Sequence, residues 1–157
     1  MNITLRTPTI DDTDELYSVI DANREHLSNL VWASTATKLS TEKFLATIPN
    51  SEKLHVIIGD GAIIGVITLR DVQPGVYQLG YWLANDYRHM GIMQNAVRQI
   101  LAMVSDTHMV IAQIRRNNLA SAKVLKTIGF VDDFAFYSSS DDEMWDEWVY
   151  NPRKGVK

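Results

Sequence analysis

Seven consecutive residues, Arg88-His89-Met90-Gly91-Ile92-Met93-Gln94, combine residue types and spacing that point to a definite chemistry. They follow a strand-like run, Leu79 to Ala84, and open a stretch in which Ile92, Ala96 and Ile100 recur at helical spacing. A loop that opens a helix leaves the first four N–H groups without internal partners, and the helix dipole adds about half a positive charge there. Such an end takes a phosphate group through main-chain donors. Gly91 lets the chain pass close to an anion, and Arg88 and His89 add charge. The loop lacks the Gly-Lys-Ser/Thr ending of a nucleotide P-loop and the three glycines of a dinucleotide fingerprint. Further on, Asn118 reads as the N-cap of a helix with Ser121 at its third position. There is no cysteine, so a thiol nucleophile, a disulfide and a thiolate metal site are excluded. His26, His55, His89 and His108 show no metal-ligand spacing, and no metal is expected. His55 reads as a face-filling strand residue and His108 as structural or exposed.

The elements that position these residues belong to a chain of 157 residues, 46% hydrophobic and 22% charged, with 15 Lys+Arg against 19 Asp+Glu and a net charge of −4. That length and composition predict one domain over residues 1–157 with one sizeable core, and exclude disorder and collagen. The mild acidity is spread along the chain and argues against nucleic acid, which needs a basic face. No apolar run reaches the roughly 18 residues of a membrane span. The N-terminus shows no basic start followed by an apolar stretch, so the expectation is a soluble, cytoplasmic protein.

Ile3 to Arg6 reads as a first strand, and Thr9 with Asp12 has capping-box spacing. Leu16, Val19, Ile20, Leu27 and Leu30 predict a helix broken near Asn23, and a second helix is predicted from Thr41 through Ile48. Asp60-Gly61 between two β-branched runs predicts a hairpin. Pro74-Gly75 marks a second turn, with Val76 to Ala84 as a third strand. A helix from Ile92 to Val104, a strand from Met109 to Ile114 and a helix from Asn118 to Ile128 ended by Gly129 and Phe130 follow. Ala135–Tyr137 and Trp145–Tyr150 are the expected last strands. The order β-α-α-β-β-β-α-β-α-β-β predicts an α/β (α+β) mixed sheet with helices on both faces. A Rossmann order alternates from the start and is different.

Arg88-His89-Met90-Gly91-Ile92-Met93 resembles the acyl-CoA pyrophosphate loop of the GNAT superfamily of N-acetyltransferases, Arg/Gln-x-x-Gly-x-Gly/Ala. Met93 departs from the last position, where the branch similar to ribosomal-protein serine acetyltransferases (RimL-type) often carries Gly-Ile-Met. Asn118-Leu119-Ala120-Ser121, Val124 and Ile128-Gly129-Phe130 resemble that superfamily's Asn-x-x-Ser…Gly-Phe helix. Leu5-Arg6, Asp11-Asp12, Asn23-Arg24-Glu25-His26-Leu27, Trp32 and Gly80-Tyr81-Trp82-Leu83 are similar to the same branch, so the resemblance covers nearly the whole chain.

The resemblance implies the GNAT fold, with acetyl-CoA as co-substrate and an amine as acceptor. Trp82, Leu83 and Ala84 would lie on a strand that splays from its neighbour and pairs with the pantetheine arm. Arg88 and the N–H groups of His89, Met90, Gly91, Ile92, Met93 and Gln94 would hold the pyrophosphate, and Asn118 would face the pantetheine or its thiol. The Leu83 N–H would polarise the thioester carbonyl. Ser121 is the candidate proton donor to the leaving thiolate, because Val124 stands where many members carry a Tyr. Gln78 stands where a Glu often serves as base, so the base falls to Glu25, His26, Asp146, Glu147 or water. Asn23, Glu25, His26 and Trp32 would line the acceptor side. With no cysteine for an acyl-enzyme, the amine attacks directly. Trp145 and Trp148 should face opposite sides of their strand, the exposed one serving a homodimer interface or the acceptor groove. The first acceptor reading is a protein N-terminal amine, on a ribosomal protein; polyamines, amino acids and antibiotics are the small-molecule alternative, and the acidic excess suits a cationic amine. A non-catalytic acyl-CoA-binding module is the third reading.

Overall fold

A computed structural model describes residues 1–155; Val156 and Lys157, the end of the expected 1–157 span, lie outside the described residues. Among the described residues the elements run β1 (Ile3–Arg6), α1 (Thr13–Ala22), α2 (Val31–Thr35), α3 (Lys38–Ala46), β2 (Glu52–Gly59), β3 (Ala62–Gln73) and β4 (Val76–Leu83). They continue with α4 (Ile92–Leu101), β5 (Met109–Arg115), α5 (Leu119–Ile128), β6 (Val131–Ser138) and β7 (Glu143–Tyr150). The strands form one sheet in the order β1-β2-β3-β4-β5-β7-β6. It is mixed: β4 and β5 run parallel, whereas β1–β2, β5–β7 and β6–β7 are antiparallel. The described residues group into two compact units, Met1–Thr68 with Tyr81–Ile92, and Leu69–Gly80 with the residues from Met93 onward.

In the first unit, Asp12 closes the entry to α1. Its Oδ2 accepts from the Thr9 N–H at 2.7 Å, and its two oxygens each accept from an Arg6 nitrogen at 2.9 Å. α1 turns Leu16 and Ile20 inward, where they meet Leu27, Ala33 and Leu45 of the following segments and Leu54, Val56, Ile63 and Val66 of β2 and β3. Burial of each large aliphatic side chain contributes about 1.5–3 kcal/mol, which fixes α1 against this hairpin. The Glu15 carboxylate adds a polar tie, accepting from the Ile63 N–H at 2.7 Å. Asp60 and Gly61 both have positive φ, 48° and 87°, the geometry that an Asp-Gly hairpin turn requires.

In the second unit, β7 lies between β5 and β6, with Ala112 opposite Trp148 and Phe136 opposite Trp145. α5 starts at the Asn118 cap and ends at Gly129, φ 116°, where the Phe130 N–H returns to the Leu125 carbonyl. That is the left-handed ending predicted from the sequence.

Several expectations shift. α2 was not foreseen. α3 begins at Lys38 rather than Thr41, on a cap in which the Thr37 and Ser40 side chains satisfy each other's N–H groups. α4 stops at Leu101, short of Val104. β6 begins at Val131 rather than Ala135, with Asp132 opposite Trp148 and a register shift between Asp132 and Phe134. Neither Trp is exposed, against the expectation for one of the pair: Trp148 is 9% exposed, and Trp145 is half-buried under the Arg115 guanidinium, 4.7 Å from its ring centre, and donates to Asp141.

Candidate active site

The C-terminal end of β4 is tied to β3 along one edge. The Ala84 N–H donates to the Ile64 carbonyl of β3 at 2.8 Å. A trans peptide is planar, so the Leu83 carbonyl of that same peptide points away from β3. In an extended residue the N–H and C=O share an edge, so the Leu83 N–H faces the same way. β3 reaches β4 here because position 65 is glycine: a Cβ there would collide with the Trp82 carbonyl oxygen and lie 3.2 Å from Leu83 Cα. The ladder with β5 pairs Val76–Leu79 with Met109–Ala112, and β4 continues beyond it to Leu83.

His26 occupies the outward edge of Leu83, its Nε2 lying 3.2 Å from the Leu83 carbonyl oxygen. A carbonyl only accepts, so Nε2 carries the proton and the neutral ring keeps its lone pair on Nδ1. The ring reaches this position because α1 stops at Asn23 and the chain turns back. Asn23 secures the turn with both ends of its amide: Nδ2 donates to the Val19 carbonyl at 2.7 Å and Oδ1 accepts from the Asn85 N–H at 2.8 Å. Arg24 anchors the next stretch, donating to the Ala33 and Ala36 carbonyls at 2.8 and 2.6 Å and to Asp21 at 2.7 Å. Burial holds the His26 pKa below its ordinary value of 6.5, the Arg88 charge lowers it further, and the bond to Leu83 offsets part of this. The imidazole is therefore neutral at pH 7.

Trp32 stands over the same region, its ring centre 6.1 Å from that of Trp82 and tilted 48°. Trp82 packs against the buried cluster of the first unit, whereas Trp32 remains 45% exposed. Glu25 is exposed.

The loop after β4 ends where α4 begins at Ile92. His89 and Gly91 both take left-handed φ values, 63° and 75°, and a Cβ on Gly91 would meet nothing within 4 Å. α4 begins immediately after, at Ile92, with no acidic residue in its first turn. Main-chain donors at a helix start, the Arg88 guanidinium and open space above a glycine fit an acyl-CoA pyrophosphate. Ile92 and Met93 are buried at 5% and 7%, so Met93, the departure from the family pattern, turns its side chain into the protein.

In the second unit, the Asn118 Oδ1 accepts from the main-chain N–H of Ser121 at 3.1 Å. The cap uses the backbone of Ser121, and its half-buried hydroxyl is left for other work. Two of the proposed bases are already engaged. Asp146 pairs with Arg116 at 3.0 Å, and Glu147 accepts from Gln113 at 2.9 Å. Gln78 accepts from Arg70 at 3.1 Å. Asn23, His26, Trp32, Trp82, Leu83 and Arg88 belong to the first unit, and Asn118 and Ser121 to the second. Sequence reasoning missed Gly65; an isolated glycine inside a β-branched run is the signal for a close backbone approach.

The family model for the acetyltransferase (GNAT) domain matches residues 2–131, and the chain belongs to that family. It is accordingly an acetyl-CoA-dependent N-acetyltransferase. No curated protein sequence matches the chain. Among solved structures it is similar to a RimL ribosomal alpha-N-protein acetyltransferase in complex with coenzyme A, at 17% identity and a TM-score of 0.87 over 96% of this chain and 94% of that one. It is also similar to a ribosomal-protein-S5-alanine acetyltransferase from Vibrio fischeri, at 20% identity and a TM-score of 0.84 over 97% and 94%. An aminoglycoside acetyltransferase in complex with coenzyme A matches at 18% identity and a TM-score of 0.79, over 99% of each chain. These identities speak for the fold.

Proposed function

We propose that the acceptor is the primary amine at a peptide N-terminus, with a ribosomal protein as the first substrate to try and a cytoplasmic setting. The observation that carries this reading is the chemistry of the segment from Asn23 to Thr37. It presents the half-exposed Trp32 beside Trp82 and contains one carboxylate, Glu25. A polyamine or an aminoglycoside brings several cations and calls for several facing carboxylates, whereas a peptide end brings one amine and an apolar or polar chain. Two structural neighbours act on ribosomal proteins by their descriptions, which agrees with this reading, and a third acts on aminoglycosides.

In this reading the Leu83 N–H polarises the thioester carbonyl and residues 89–94, with Arg88, hold the pyrophosphate. The neutral amine attacks the carbonyl carbon; the C–N bond forms, the C–S bond breaks, Ser121 passes its proton to the thiolate and is reprotonated from solvent, and the proton that the amine nitrogen loses is taken up by a base and returned to solvent. Holding both reactants together is worth about 7–11 kcal/mol of barrier. Intact-mass analysis of N-terminal ribosomal peptides, spermidine and an aminoglycoside after incubation with acetyl-CoA tests it. A mass gain of one acetyl group on the peptides is expected; exclusive acetylation of the small amines would overturn it.

A further inference from the structure

The geometry points to His26 as the group that takes the proton from the acceptor amine, through an Nδ1 whose lone pair is fixed by the bond from Nε2 to the Leu83 carbonyl. The inference rests on the acetyltransfer reading and names the base that reading lacks. Three observations carry it. His26 bonds Leu83 on the edge that β3 leaves open, the edge that also carries the Leu83 N–H. Its tautomer follows from its partner, because a carbonyl cannot donate. The competing carboxylates on β7 are engaged, Asp146 with Arg116 and Glu147 with Gln113, and Glu25 is exposed to solvent.

The ring is held rather than free to swing. Asn23 and Arg24, the residues just before it, bond to Val19, Asn85, Ala33 and Ala36, and Leu27, just after it, is 4% exposed. The Arg88 charge, from the loop after β4, opposes an imidazolium, and the Leu83 carbonyl favours it. A base that is neutral at working pH, yet stabilised on its far side once charged, suits proton uptake. As the C–N bond forms, the amine nitrogen becomes positive. One of its protons passes to Nδ1, directly or across one water, while the electron pair of the C–S bond leaves on sulfur. The imidazolium then returns its proton to solvent, so His26 ends neutral and the net products are an acetamide and a thiol.

The test compares His26→Gln, whose amide keeps a donor for Leu83 but offers no base, with His26→Ala. Coenzyme A affinity is measured by calorimetry to confirm an intact fold. Both variants should bind coenzyme A as the parent does and lose about 10²-fold or more in kcat/KM for the amine at neutral pH. The acid limb of the pH–rate profile should vanish in both. A His26→Gln variant with parental kcat/KM, while His26→Ala is slow, would reduce His26 to a positioning residue and overturn the proposal. Nitrogen-15 spectra of the labelled ring, in the protein with coenzyme A, give a readout independent of turnover. A protonated Nε2 and bare Nδ1 are expected; the opposite tautomer, or an imidazolium at pH 7.5, would overturn it. Turnover of spermidine alone would strike the peptide reading and leave the His26 comparison intact.

Discussion

Gly65 stands against the carbonyl oxygen of Trp82 so closely that it has no room for a single methyl group. The atoms in the way are main chain, Trp82 O and Leu83 Cα, so no side-chain rotation relieves the clash. Gly65→Ala must push β3 and β4 apart at the peptide that orients Leu83. A loss of about 1–3 kcal/mol is expected from overpacking of this kind. Urea denaturation checks it, and an unchanged midpoint would contradict the close approach.

Gly91→Asp should weaken coenzyme A binding. The residue has φ 75°, so a side chain is strained there even though the space around it is open. The strain costs about 1–2 kcal/mol, and a carboxylate beside the pyrophosphate adds repulsion. A loss of tenfold or more corresponds to about 1.4 kcal/mol. Calorimetry with coenzyme A reads it, and parental affinity would remove the loop from the binding site.

Ser121→Ala separates the cap from the chemistry. The cap bond uses the Ser121 N–H and the Asn118 side chain, both retained in the variant. Thermal stability and coenzyme A affinity should therefore hold, while kcat falls about 10²-fold if the hydroxyl protonates the thiolate. Unaltered kcat would assign that proton to solvent.

Stability should decline as pH falls below about 6.5. Burial lowers the pKa of both His26 and His55 from 6.5. The unfolded chain then binds protons that the folded protein refuses, so stability present above 6.5 is lost as pH falls through the folded values. Asp12 acts in a separate, lower window: its bond with Arg6 lowers its pKa from 3.8, and its contribution, full above that value, is lost as pH falls from there through the lowered one. Denaturation midpoints at pH 7.5 and 5.5 should differ in the parent, and the difference should shrink in His55→Gln. Equal midpoints in the parent would contradict the lowered values.

Most of the architecture was legible where local chemistry and tertiary need agree. Asp60-Gly61 and Gly129 each announce a backbone conformation that few other residues supply and adopt it, and Asn118 announces a side-chain cap and makes it. α2 was invisible because five residues leave no periodicity and its Leu30 cap makes no side-chain bond. The start of α3 was displaced because its box closes with Ser40, whereas the recognisable signature closes with Glu or Gln. The loop before α4 could be singled out from residue types, and two of its residues, His89 and Gly91, take left-handed φ values. The His26–Leu83 bond could not: its partners are 57 positions apart, and one of them is main chain.

A side-chain partner for His26 could vanish with one codon, and the ring would lose its proton placement. The Leu83 peptide oxygen survives every substitution at position 83. The placement of the proton on the His26 ring is therefore insulated from drift, while exposed neighbours such as Trp32 and Glu25 are free to change around it.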